Sequence, residues 1–353
     1  MRDRSVPVRA MELLNEMKDE KRNGNRNVTP DATTYAYIIN IFTKARVPES
    51  AEMAAKLLYE VEEGYASGDD ALRPTQLLYS AVLQAYAKSA SKHGVEQAEK
   101  LLQSTEDLFK QGKMFAKPTA LYYNAVIDGL ARSRQGEPGA FRAEELLDEM
   151  ENRSKAGDEE LRPTARSYNA AILAWKTSNS SLAPQRAEAL LKRMNDRYEA
   201  GDADCRPDQV TFNTIISLLA NSAVPGAAER AEAYLKFMEN MYYNAHDMSL
   251  KPDSISYNSV MHAYASCDQK DSAKRAEEIF DRMKMRYTSG DQSLSPTFAT
   301  LTSLVRAWEK RGDPDAKMKA KMVSRLIVEQ EEMETSVVTG VFQTLPNRTM
   351  PVQ

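Results

Sequence analysis

Four asparagines, Asn124, Asn169, Asn213 and Asn258, each stand six residues after a proline. An Asn amide is both donor and acceptor, so it can cap a helix or hydrogen-bond the polar edge of a ligand. Capping alone would accept Ser, Thr or Asp equally, so four Asn in one phase point beyond capping. The residues for other chemistries are missing. His93, His246 and His262 are scattered without metal-ligand spacing, and Cys205 and Cys267 alone make neither a disulfide framework nor a zinc site. The sequence has no HxE with a CxxC, no Gly-rich phosphate loop, no paired-His helix and no nucleophile elbow. Acid clusters such as Glu144-Glu145 and Glu277-Glu278 read as solvated helix faces. The expectation is a protein that is not an enzyme, with no metal and no cofactor.

The elements that must position these residues come from an internal repeat. Pro30, Pro74, Pro118, Pro163, Pro207, Pro252 and Pro296 are 44 or 45 residues apart. Five residues after them stand Tyr35, Tyr79, Tyr123, Tyr168, Phe212, Tyr257 and Leu301, and twelve after them Phe42, Tyr86, Leu130, Trp175, Leu219, Tyr264 and Trp308. Six residues before them stand Gly24, Gly68, Gly112, Gly157, Gly201 and Gly290, with His246 in the remaining unit, which carries one extra residue before Pro252. Each unit reads as two helices. In residues 168–178, Tyr168, Ile172 and Trp175 share one face of a 3.6-residue period. In residues 142–157, Ala143, Leu146, Leu147 and Met150 form the apolar stripe of a longer helix, closed by a glycine suited to a left-handed turn. Trp175, Trp308 and the pair Tyr242-Tyr243 read as fillers of inter-helix grooves.

One such pair cannot bury its own apolar faces, whereas stacked copies can. The expected fold is all-α: an α-solenoid, a right-handed superhelix of antiparallel helix pairs. Residues 1–29 read as a leading half-repeat, 30–335 as seven pairs, and 336–353 as a poorly ordered tail. Together they make one elongated domain. The half-unit start is what a fragment would show. Residues 1–20 mix Arg2, Arg4 and Arg9 with five acids, so no transit peptide is visible in them.

Composition agrees with a folded helical chain. Of 353 residues, 42% are hydrophobic and 28% charged, and only 14 are glycine. No apolar run is long enough to span a membrane. With 47 basic and 51 acidic residues the net charge is −4, which excludes a large uniform field for nucleic acid but not a local basic track.

These units carry a specific resemblance. RPDQVTFNTII at 206–216 and KPDSISYNSVM at 251–261 resemble the opening of a pentatricopeptide repeat. AEELLDEM at 143–150 and AEEIFDRM at 276–283 are similar to the second helix of that family. The resemblance covers roughly residues 9–333. Tetratricopeptide repeats have similar unit lengths but lack the Pro-x-x-x-x-Tyr-Asn opening. Units of that family run about 35 residues, so the units here are long, with the excess expected in the linker between the helices and in a longer second helix with its Gly-Asp loop.

The resemblance implies single-stranded RNA binding, one base per repeat. It gives base reading to Ala36, Ser80, Asn124, Asn169, Asn213, Asn258 and Thr302. The supporting position falls just after the next proline: Thr75, Thr119, Thr164, Asp208, Asp253 and Thr297 pair in that order with the first six. Base packing falls on Leu77, Leu121, Val210 and Ile255, with Thr33, Arg166 and Ala299 departing, although an aliphatic residue at a helix start also suits an ordinary core. Phosphate-facing positions hold Lys44, Lys88, Arg132 and Lys310, but Thr177, Asn221 and Ser266 in the units between. By resemblance, Asn with Asp prefers uracil and Asn with Thr a pyrimidine less strictly. With the N-terminus toward the RNA 5′ end, Asn124 to Asn258 would read pyrimidine-uracil-uracil-pyrimidine.

The expected function is thus sequence-selective single-stranded RNA binding in organellar RNA processing, stability or translation, in a mitochondrion or chloroplast. The expected partner is single-stranded RNA, with neither DNA nor membrane, bound by a monomer. The rival is a protein-interaction scaffold with protein partners on the same surface, favoured by the near-neutral charge and the long unit.

Overall fold

The computed structural model of the protein describes residues 5–25, 27–45, 49–112, 117–312 and 314–324. The expected tail at 336–353, and the last part of the seventh second helix, lie outside the described residues. The chain divides into two compact units, Met1–Thr214 and Ile215–Gln353. The first contains α1 (Ser5–Arg22), α2 (Ala32–Ala45), α3 (Ser50–Ala66), α4 (Gln76–Lys88), α5 (Lys92–Lys110), α6 (Ala120–Ser133), α7 (Gly136–Lys155), α8 (Ala165–Ser178), α9 (Ala183–Glu199) and the start of α10 (Gln209–Ala220). The second contains the rest of α10, α11 (Ala227–Tyr243), α12 (Ser254–Ser266), α13 (Ser272–Thr288), α14 (Phe298–Arg311) and a helical stretch at 314–324. No strand occurs among the described residues. The chain is an all-α helical repeat, as its period requires.

Polar contacts show how neighbouring helices run. Tyr168 near the start of α8 donates to Glu151 near the end of α7, while Trp175 near the end of α8 donates to Glu144, earlier in α7. α7 and α8 are therefore antiparallel. In the second unit Tyr257 and Tyr264 of α12 reach Glu239 and Glu232 of α11 in the same crossed order. First helices run parallel to one another: Tyr122 of α6 meets the Gln76 carbonyl at the start of α4, and Thr177 of α8 meets the Ala131 carbonyl at the end of α6.

The repeat's punctuation has local causes. The proline sits just before the helix cap, where its ring blocks no helical hydrogen bond. A Thr or Asp then caps: Thr75 accepts from the Leu78 amide at 3.2 Å and Asp253 from the Ser256 amide at 3.0 Å. Second helices end on a left-handed residue, as at Gly157 (φ 99°); His246 (φ 57°) takes that place where glycine is lacking. A one-turn 3₁₀ helix follows, and each plugs one side chain into the core: Leu72, Leu161, Cys205, Leu250 and Leu294 are all buried. Burial pushes the Cys205 thiol up to about 11, so this cysteine is a core residue rather than a nucleophile. The excess length lies in second helices of 17–20 residues and in this turn. The helix-to-helix link within a pair varies, from Arg134 and Gln135 between α6 and α7 to residues 221–226 between α10 and α11.

The Asp of each Gly-Asp turn joins one repeat to the one before. Asp158 takes Lys117 at 2.5 Å and Arg153 at 3.1 Å; Asp202 takes Arg162 at 2.7 Å and Arg197 at 2.6 Å; Asp291 takes Lys251 at 3.0 Å. Lys117, Arg162 and Lys251 each directly precede a repeat proline. Burial pushes these carboxyls up, but the cations and hydroxyls facing them prevail and hold all three below the ordinary value.

A carboxyl with a depressed folded pKa stabilises above its unfolded value of about 4 and loses that contribution as pH falls through the folded value. Asp202→Asn should therefore lower the urea midpoint at pH 7, and the gap to the parent chain should close as pH drops below about 4. A gap that stays constant with pH would show that the carboxylate charge is not what matters there.

Candidate nucleic-acid interface

Each candidate base reader follows the buried position that fixes its helix. Tyr79, Tyr123, Tyr168 and Tyr257 are buried and donate to Glu62, Glu149, Glu151 and Glu239, so the next residue emerges at a set height on the helix. What emerges differs between repeats. Ala36 and Ser80 are buried, and Asn124 is only 3% exposed. Asn169, Asn213 and Asn258 are half-buried, and Thr302 is exposed with its hydroxyl donating back to the Phe298 carbonyl at 2.8 Å.

One expected pair meets directly. Asn169 Nδ2 donates to Asp208 Oδ1 at 3.3 Å across the boundary between successive repeats. Asp208 also accepts from the Thr211 amide at 2.9 Å, so it caps its own helix while holding its neighbour's Asn. Asp253, Thr297 and Thr75 likewise cap their helices, accepting from the amides of Ser256, Thr300 and Leu78. Thr164 offers its backbone amide to Ser167 Oγ at 3.1 Å. Thr119, by contrast, has a buried hydroxyl with no partner among the described residues, as do Ser80 Oγ and Asn124 Oδ1. These three atoms all belong to expected reading or supporting positions.

The four candidate packing residues are not core. Leu77, Leu121, Val210 and Ile255 are 40%, 50%, 56% and 58% exposed, although each lies in a first helix with a well-buried opposite face. Each is three residues before Ser80, Asn124, Asn213 or Asn258, hence on the same side of its helix. Thr33 is half-buried; Arg166 is exposed and pairs with Asp128 at 3.5 Å, and Ala299 is exposed. Phe298, one residue before Ala299, is 58% exposed.

Of the four candidate phosphate positions, Lys44, Lys88 and Arg132 are exposed helix-end cations. Lys310 is committed: its ammonium donates to the Ser266 carbonyl and pairs with Asp268, both at 2.7 Å.

Two contacts were not foreseen in the sequence reading. Thr211 Oγ1 donates to Asn169 Oδ1, and Thr300 Oγ1 to Asn258 Oδ1, both at 2.7 Å. Their sequence signal is a hydroxyl four residues after the next proline, found after every one of the four Asn as Ser167, Thr211, Ser256 and Thr300. After Ala36 and Ser80 that position is Leu78 and Tyr122.

Residues 241–314, from the end of α11 through α14, match the family model described as pentatricopeptide repeat domain. The resemblance read from the repeat text is thus met by the family match over this segment, which includes Asp253, Ile255, Asn258 and Thr297. Pentatricopeptide repeats are RNA-binding helical repeats and are generally non-enzymatic. No curated protein matches the chain. No helix among the described residues is long and apolar enough to cross a membrane.

A buried polar atom without a partner costs about 1–3 kcal/mol. Asn124→Leu removes such an atom and keeps the branching at Cγ, so where the site takes the larger methyl groups it should leave the chain as stable as before or raise its stability by about 1 kcal/mol, measured by urea unfolding. A loss above about 2 kcal/mol, the range for a broken buried network, would mean that the amide is in fact satisfied in the folded protein.

Proposed function

We propose that the chain binds single-stranded RNA sequence-selectively, one base per repeat, and acts on organellar transcripts in processing, stability or translation. It does so by occupying a short segment: masking it from nucleases, opening a hairpin or guiding a processing factor. The observation that carries this reading is the aliphatic series Leu77, Leu121, Val210 and Ile255, exposed at one phase beside the reading positions. Single exposed apolar side chains are ordinary on a protein surface; it is their recurrence at one phase of the repeat that points to a ligand. Flat base faces are a fitting cover for them, and the adjacent amide or hydroxyl reaches the base edge. The unpartnered atoms of Ser80, Thr119 and Asn124 support the same surface, since a bound base would supply hydrogen-bonding groups there. The Asn169–Asp208 pair has the composition expected for uracil.

A protein-interaction scaffold remains the rival because the chain is near neutral. Mobility-shift titration with random single-stranded RNA at two salt concentrations separates them, since RNA binding weakens with salt as counterions are released. Loss of one base contact should cost about 1–3 kcal/mol on the scale of a good base contact. Asn213→Ala should therefore weaken binding to a UU-containing RNA by roughly ten- to a hundredfold and leave binding to a purine-only RNA unchanged. Equal loss on both RNAs would reduce Asn213 to a helix cap, and no loss on either would remove this surface from RNA reading.

A further inference from the structure

Two threonines, each four residues after a repeat proline, hold the asparagine of the preceding repeat: Thr211 on Asn169 and Thr300 on Asn258. Thr300 shows the device most simply. Its Oγ1 accepts from the Thr297 backbone amide at 2.9 Å, the return arm of a capping box. With that lone pair occupied, its proton goes to Asn258 Oδ1 at 2.7 Å, 42 residues back. Thr211 does the same: it accepts from the Asp208 amide at 3.2 Å and donates to Asn169 Oδ1 at 2.7 Å, with Asp208 Oδ1 a second acceptor at 2.9 Å.

The orientation of the Asn169 amide then follows from chemistry. A carboxylate only accepts, so the amide group that faces Asp208 must be the nitrogen. The oxygen therefore faces the Thr211 hydroxyl. Asn169 is left with its second N–H as the donor to offer a ligand, its oxygen being turned toward Thr211.

Resting on the RNA reading above, we infer that Thr211 is a specificity-determining positioning residue. By holding Asn169 Oδ1, it makes the amide present a donor, which selects a base carbonyl and rejects an exocyclic amino group. Uracil and cytosine differ in just this way, O4 accepting where N4 donates. Asp208 alone holds only the nitrogen, and at the longer 3.3 Å; an amide tied by that one bond can swing its oxygen toward the base and tolerate both bases more readily. Thr300 acts in the same way on Asn258. A threonine is well suited, because branching at Cβ restricts its side-chain torsion. Where the position is Ser167, the hydroxyl takes the Thr164 amide while Asn124 Oδ1 has no partner among the described residues, so that repeat lacks the lock. The sequence carries the association independently. All four Asn are followed by a Ser or Thr at this position, whereas Ala36 and Ser80, which have no amide to orient, are followed by Leu78 and Tyr122.

The test uses the full chain, an oligouridine, and a series of oligouridines in which one cytosine is moved stepwise along the strand. The parent should show a cytosine penalty of about tenfold at the base facing Asn169. Thr211→Val keeps shape and branching but lacks the hydroxyl; it should shrink the penalty at that one base, where Asp208 still holds the amide nitrogen, and leave the others. Thr211→Ser should retain it. Equal weakening of every RNA by Thr211→Val would overturn the inference and leave the hydroxyl as a mere helix support, and an unchanged penalty would overturn it too. The side-chain amide resonances of Asn169 give a readout without RNA. In Thr211→Val, and not in Thr211→Ser, they should move toward free-amide positions. If the parent binds no RNA the RNA reading itself fails, and these resonances still decide whether Thr211 holds the amide.

Discussion

The contact on which the rest depends is a buried tyrosine hydroxyl given to a glutamate on the preceding second helix. Tyr79–Glu62 and Tyr168–Glu151 both span 17 residues, while Tyr123 gives its proton to Glu149 on α7 at 2.6 Å and stands only 3.3 Å from Glu106, 17 residues back. A buried phenol needs an acceptor, and a carboxylate drawn into the core needs donors; each resolves the other's cost. Arg153 completes one such set, reaching Glu106 at 2.8 Å and the Tyr123 oxygen at 3.0 Å. Because these bonds have short reach, they fix where α4, α8 and α12 stand along the second helix before them. The residue after the tyrosine is the candidate reader, so its position is set by the same bond. Tyr257–Glu239 tests the rule: the extra residue before Pro252 makes the span 18, and the bond is kept at 2.7 Å. The insertion is absorbed at the turn around His246 instead of displacing the helix.

The long unit has a physical consequence of its own. Its additional residues form a turn that buries one side chain, such as Leu161 or Leu294, and places an Asp where the preceding repeat's pre-proline cation reaches it. Apolar faces hold neighbouring repeats together without direction; an ion pair adds a directional tie at the edge of each stack. These pairs are partly exposed, so they contribute less to stability than the buried faces and more to alignment.

The helix pairs and the core were legible in the sequence because they rest on periodicity, which a single chain carries in full. Tyr168, Trp175 and Leu146 are buried where their spacing put them. Leu77 and Ile255 were not decidable in that way. An aliphatic residue at a helix start fits a core and a surface equally until the neighbouring helices are in place. Ion pairs such as Arg162–Asp202 join residues 40 apart, and no local pattern announces them. The position after Tyr123 illustrates a further limit. Its phase matches that of Asn169, yet Asn124 is buried and Asn169 half-buried, a difference that phase alone does not carry.

On the proposed reading, affinity and selectivity fall to different repeats. The exposed cations Lys44, Lys88 and Arg132 belong to the first three units, where the reading position holds Ala36, Ser80 and the buried Asn124. The half-buried amides Asn169, Asn213 and Asn258 belong to the next three, whose phosphate positions hold Thr177, Asn221 and Ser266. Phosphate contacts carry no sequence information, and base-edge contacts carry little of the salt-dependent affinity. A chain arranged this way would be held by charge at one end of the repeat series and would choose bases toward the middle. Near-neutral overall charge is then no obstacle to RNA binding: it keeps the charge-driven, sequence-blind part of binding small, so that the orientation of a few amides weighs more in deciding which RNA stays bound.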